Sequence, residues 1–185
     1  MAAADTLALL DWKRRVFALY AAVRAMPPEA AWELWRDTRD ELFRKHPQSP
    51  LPPDRRSSFA GIEYGPYDPE ARVLAELEDI ESPPKAVATS GTEPILFRPF
   101  ARASFGLRGE RLALEVAWLT GYGGGRYLLD TVKGADLGED DGRLVLDFNF
   151  AYNPSCSYDP GWVCPLAPPA NRLPVAVEAG ERYVS

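Results

Sequence analysis

Residues 107–119, LRGERLALEVAWL, decide how the chain folds. Leu112, Leu114, Val116 and Trp118 alternate with Ala113, Glu115 and Ala117. Side chains of an extended backbone point to opposite faces with a period of two, so this alternation predicts a strand with four apolar side chains on one sheet face. Leu107-Arg108-Gly109-Glu110, just before it, predicts a hairpin turn.

The same texture of short apolar or alternating runs, cut by Gly, Pro and Asp, extends in both directions. Strands are predicted at Ser58–Tyr64, Val73–Ile80, Ala86–Ser90, Ile95–Leu107, Arg111–Leu119, Gly125–Val132, Arg143–Phe150 and Arg172–Glu178. A second turn is expected at Gly138–Gly142. Its Glu139, Asp140 and Asp141 lack the alternating ligands of an EF-hand loop and read as a solvated turn.

Upstream the period changes to that of a helix. Leu9, Trp12, Val16, Leu19 and Val23 form one stripe between Thr6 and Met26, with Lys13, Arg14, Arg15 and Arg24 largely off it. Pro27-Pro28 breaks this helix, and Pro28 opens the next, since a first-turn proline loses no hydrogen bond. The second helix runs to Lys45 with Ala31, Trp35, Thr38 and Leu42 on one side, and Arg36, Asp40 and Arg44 at pairing distance along it. The proline-rich His46–Pro53 ends the helical part.

The expected architecture is α+β and mainly β. It comprises an antiparallel β-barrel or sandwich of about seven to eight strands preceded by two N-terminal helices. Residues 1–185 are read as a single domain, with a helical segment over 1–46 packed on a β-rich core over 58–185.

Composition narrows the function classes. A net charge of −6, a pI near 4.9 and the lack of a basic stripe argue against nucleic acid as a partner. No stretch approaches the ~18 apolar residues of a membrane span. In MAAADTLALLDWKRR the charges follow the apolar segment, the reverse of a secretory signal, so a cytoplasmic location with reduced thiols is expected.

Asp147–Asn171, DFNFAYNPSCSYDPGWVCPLAPPAN, is the functional candidate. Loops this long are usually functional or disordered, and its aromatic residues argue against disorder. On a strand over Arg143–Phe150, Asp147 and Asn149 share the face opposite Leu144, Leu146, Phe148 and Phe150. They either line a cleft or cap the loop that follows.

Gly121–Tyr127, GYGGGRY, offers glycine amides beside Arg126 but lacks the ending of a phosphate-binding P-loop. Arg126 suits a substrate carboxylate or phosphate, or an ion pair with Asp147. Cys156 and Cys164, with the lone His46, fall short of a four-ligand structural zinc site, and no metal or cofactor is assigned. His46 ends the second helix, where the helix dipole favours a cation.

WRDTRDELFRKHPQSPL, FAGIEYGPYDPEARV, GYGGGRYLLD and the DFN-x-AYNP-x-C stretch through NRLPVAVEAGER together resemble the bacterial and archaeal family of domain of unknown function 1684, over roughly Trp35 to Arg182. The resemblance implies no activity. It makes His46, Ser49, Arg126, Tyr127, Asp147, Asn149, Tyr152, Asn153, Cys156, Cys164, Asn171 and Glu181 positions of the family motifs. Members of that family usually carry a longer segment before GRY, with acidic and hydroxyl-bearing residues. Here Val116–Thr120 runs directly into Gly121, which weakens any metal or phosphate role resting on that segment.

Three functional readings follow. In the first, a small, anionic molecule binds a polar cleft of Arg126, Tyr127, Asn149, Tyr152, Asn153 and Asn171, closed by the Cys156–Asn171 loop, with Asp147 as acceptor or base. In the second, Cys156 is a nucleophile or ligand with Cys164 and His46 in support. In the third, the chain is a non-catalytic interaction module contacting a partner through Trp12, Trp32 and Trp35, whose competing role is core packing. Homo-oligomerisation stays open.

Overall fold

The computed structural model describes residues 3–89, 91–119, 126–130, 134–163 and 167–182. Two long helices come first: α1 (Ala3–Arg24) and α2 (Pro28–Lys45). Pro28 stands in the first turn of α2 with Glu29, and Arg44 and Lys45 occupy its last turn, each sign of charge at the helix end that favours it. His46, pressed into extended geometry by Pro47, stops the helix. A single helical turn, α3 (Pro53–Arg56), follows.

The sheet is antiparallel. It contains β1 (Arg72–Asp79), β2 (Lys85–Val87), β3 (Ile95–Leu107), β4 (Glu110–Leu119), β5 (Glu139–Asp140) and β6 (Arg143–Asp147). Strand order is β2-β3-β1-β6-β5, with β4 also on β3. The first half of β1 pairs with β6 and the second half with β3. Among the described residues the strands do not close on themselves, and the fold is α+β around a mostly antiparallel six-stranded sheet.

Both hairpins sit where tight turns were read. Arg108 and Gly109 (φ 53° and 79°) join β3 to β4, and Asp141 and Gly142 (φ 51° and 72°) join β5 to β6. Two successive positive φ values match the right-handed twist of the flanking strands. Along β3, Phe97, Pro99, Ala101, Ala103, Phe105 and Leu107 alternate as buried residues, and Pro99 is tolerated because the register shifts there.

Three predicted strands are corrected. Ser58–Tyr64 forms no strand: the Ile62 amide donates to Asp40 Oδ1 at 3.1 Å, and only Tyr64 makes a bridge, to Glu181. In Gly125–Val132 the described residues make isolated bridges at Tyr127 and Asp130; Gly125 and 131–132 lie outside the described residues. Arg172–Glu178 is not in a ladder, although Leu173, Val175 and Val177 do alternate onto the sheet core. β6 also ends at Asp147, three residues early, because Phe148–Phe150 closes into a 3-10 turn.

The core has three parts. Phe105, Leu107, Leu112, Leu146 and Phe148 pack between the strands. Leu19, Tyr20, Val23, Trp32 and Trp35 pack the helices on Phe150 and Tyr152. Phe43, Leu51, Ile62 and Tyr158 fill the third. Trp35 is fully buried and Trp32 nearly so, which removes both rings from any exposed partner surface.

Candidate functional site

Glu181 is the most heavily engaged side chain of the chain's C-terminal part. Its carboxylate is 1% exposed and accepts from Arg39 Nε (2.7 Å), the Asn153 amide (2.7 Å) and the Tyr158 hydroxyl (2.8 Å), with Arg39 Nη2 as a further donor. The Arg39 guanidinium lies over the rings of Trp35, Phe43 and Tyr152. Burial works against its charge, but Glu181 and the surrounding groups hold it above its ordinary value. Burial first, and Glu181 second, push the Tyr158 phenol up, so it remains a donor. A buried charge is tolerated only when paired and hydrogen-bonded, and here both conditions are met.

The backbone around Glu181 is clasped from both sides. Gly65 N donates to Gly180 O, Arg182 N to Glu63 O and Glu181 N to Ala151 O, each at 2.8 Å. Alternate carbonyls, those of Val177, Ala179 and Glu181, turn towards Arg126 and accept from its guanidinium. Arg126 therefore does not pair with Asp147; it holds the C-terminal segment by its carbonyls. Burial lowers its pKa, partly offset by Glu181. No carboxylate forms an ion pair with it among the described residues.

Beside this clasp opens a cleft of about 570 Å³, lined by Arg126, Asn153, Pro154, Ser157, Val177, Glu178, Glu181 and Arg182. Of the residues expected to build a site, Arg126 and Asn153 meet here, and Cys156 sits in the adjoining Ser155–Ser157 turn, partly exposed. Asn153 is fixed by its Nδ2 donating to Arg182 O at 2.8 Å.

The other expected residues lie elsewhere. Asp147 and Asn149 form a separate buried network: Asp147 Oδ1 accepts from the Asn149 backbone and side-chain amides at 3.0 and 2.8 Å, and Asn149 grips the backbone of Asp68. Asp147 thus caps the loop that follows it. Its Oδ2 has Arg72 at 3.7 Å, beyond hydrogen-bond distance.

Tyr127 and Tyr152 pair by backbone and stack at 5.4 Å, with Tyr152 in the helix–sheet core. The Asn171 side chain covers the edge of β4, accepting from Glu115 N at 2.7 Å and donating to Glu115 O at 3.2 Å. His46 is buried against Trp12; its Nε2 meets Asp11 at 3.1 Å and its Nδ1 accepts from Gln48 N at 3.0 Å. Asp11 lies in α1 and Gln48 in the turn that follows α2. Cys164 and Gly121–Gly125 lie outside the described residues. Among the described residues no group of His, Cys, Asp and Glu is arranged to hold a metal.

Asp147 supports a pH prediction. Burial raises its pKa above the model-compound 3.8, against the bonds from Asn149 and the charge of Arg72. The folded chain therefore takes up this proton more readily than the unfolded chain. Ionised Asp147 costs stability as pH rises through that window, and the cost vanishes below it. Asp147→Asn is expected to gain stability relative to the wild type as pH rises above the unfolded-state carboxylate value of about 4 and to keep that gain at neutral pH, measured by urea unfolding at each pH.

With this geometry established, similarity to other proteins can be placed on it. Residues 57–182 match the family described as "Protein of unknown function (DUF1684)". The chain belongs to the DUF1684 family. The solution NMR structure of the uncharacterized protein from gene locus rrnAC0354 of Haloarcula marismortui is similar at 35% identity and a TM-score of 0.55, covering 83% of this chain and 93% of that one. No curated protein matches the chain.

The DUF1684 match contains every residue lining the cleft, yet Arg39, which neutralises Glu181, comes from α2, ahead of the matched segment. Arg39, Ser157 and Arg182 escaped the sequence reading. Glu181 was signalled only as a family-motif position, since nothing local tells a buried glutamate from a solvated one.

Proposed function

We propose that the cleft beside the Arg126 clasp binds a small anionic molecule. Arg182 at the rim is the direct cation, Arg126 supplies positive potential from the wall, and Asn153 and Ser157 orient the guest. The observation that carries this reading is the charge arrangement. Arg126 and Arg182 open onto a cleft of about 570 Å³ without an ion-pair partner among the described residues, while the Glu181 carboxylate on its floor is neutralised by buried Arg39. Glu178 is exposed at the same rim, which favours a small anion over a large polyanion. Asp147 has no part in this site.

The test is a thermal-shift screen of carboxylates and phosphate esters against controls of matched ionic strength. A specific anion is expected to raise the melting temperature in a dose-dependent way. Arg182→Ala should weaken binding of that anion by about tenfold, the ~1.4 kcal/mol expected for one charge-assisted contact, without lowering the melting temperature of the free protein. If no anion exceeds the salt control, the reading fails.

A further inference from the structure

The outer face of α1 carries a pattern that neither the fold nor the cleft uses. Leu7, Leu10, Arg14, Phe17 and Ala21 follow one another at spacings of three, four, three and four residues. This is the 3.5-residue repeat of a coiled-coil seam. The core-facing side of α1 is a different one, held by Leu19, Tyr20 and Val23. On the seam, Leu7 is 66%, Leu10 43% and Phe17 49% exposed, although Phe17 also lies against Gly134. Apolar residues at solvent normally occur singly; four apolar positions in register on one helix do not.

Two further observations indicate what covers this seam. Beside it, the surface falls into a groove of about 580 Å³ between α1 and α2, where Ala18, Ala22, Leu34 and Leu42 supply apolar wall. The small alanines let another backbone approach closely. The seam also carries positive charge in a chain of net charge −6: Arg14 stands on it and exposed Lys13 beside it, whereas Arg15 pairs with Asp11 at 2.8 Å and Arg24 donates to the Asp136 carbonyl.

A second copy of α1 would set the Lys13-Arg14-Arg15 run against itself, which like-charge repulsion disfavours. An anionic membrane suits a broad apolar face, whereas this stripe is narrow and has Asp11 on its flank.

The geometry points to α1 as the docking helix for an acidic amphipathic helix of a partner protein, whose apolar stripe covers Leu7, Leu10 and Phe17 and whose carboxylates face Lys13 and Arg14. This site is separate from the cleft. The family match, which begins at residue 57, does not include it.

The test uses the full chain and two labelled three-heptad helical peptides with Leu at a and d, one carrying Glu and the other Lys at e and g. Fluorescence anisotropy should show the Glu peptide binding at least roughly tenfold tighter than the Lys peptide, and more weakly as salt rises. Leu10→Asp and Arg14→Glu should each lower its affinity by roughly tenfold, with melting temperatures unchanged because both side chains are exposed.

Equal binding of the two peptides, no binding, or indifference to both substitutions overturns the proposal. So does sedimentation showing a dimer that Leu10→Asp dissolves, which would make the occupant a second copy. Capture of the protein by phosphatidylserine vesicles, lost in Leu10→Asp, would assign the face to a membrane instead.

Discussion

Glu181→Ala is expected to destabilise the protein by about 3–5 kcal/mol, a large part of the 5–15 kcal/mol that holds a typical domain together. The substitution removes the acceptor for Arg39 Nε, the Asn153 amide and the Tyr158 hydroxyl at once. The Arg39 side chain, 13% exposed and enclosed by Trp35, Phe43 and Tyr152, would then hold an unpaired charge away from water. Urea unfolding should show the midpoint falling with little change in slope.

Removing both charges, as in Arg39→Met with Glu181→Leu, should recover much of the loss. The cost of the single substitution is mainly the stranded guanidinium rather than the net worth of the pair. A loss below about 1 kcal/mol for Glu181→Ala would mean that Arg39 swings to solvent, and the hub would not then organise the cleft floor.

Gly180→Ala should cost about 2–4 kcal/mol, from a left-handed backbone forced on an L residue and from overpacking. Gly180 has φ 83°, and an added Cβ would stand 2.7 Å from the carbonyl oxygens of both Phe148 and Ala151. Neither oxygen can retreat easily, because Ala151 O accepts from Glu181 N and Phe148 O from Ala151 N.

Gly142→Ala is the control. Its φ is 72°, but nothing lies within 4 Å of the new methyl group, so only the conformational cost of about 1 kcal/mol remains. Thermal unfolding of the pair separates the two effects. Equal losses in both would show that the contact at Gly180 relaxes at no cost.

The contrast between these glycines reflects what the sequence could reveal. Gly109 and Gly142 lie in turns flagged by their neighbours, and the hairpins formed where they were read. Pro28 opened α2 and Pro47 closed it for equally local reasons. β3 kept its predicted limits because alternation from Phe97 to Leu107 is both a sequence pattern and a burial pattern.

Arg172–Glu178 shows the limit. Leu173, Val175 and Val177 do face the core, but alternation reports where side chains go and not whether the backbone finds a ladder; the Val177 carbonyl goes to Arg126 instead, as do those of Ala179 and Glu181 just beyond.

The site was legible in part for the same reason. Arg126 and Asn153 share the cleft, as expected of polar residues beside one long loop. Asp147 and Asn149 left it because β6 turns into a 3-10 helix at Phe148, which ended the period-two geometry that had placed them. Glu181 and Arg39 are 142 positions apart, and only the folded chain joins them. His46 paired with Asp11 across the two helices, a contact invisible to local spacing.

The most direct test of the account is a titration of the isotopically labelled protein with the anion selected by the thermal-shift screen, followed through backbone amide shifts. The expected result is saturable movement centred on Asn153, Ser157 and Arg182, with Asp147 and His46 unmoved, and loss of that movement in Arg182→Ala. Saturable shifts centred on any other surface, or shifts that grow linearly with salt and survive Arg182→Ala, would contradict it.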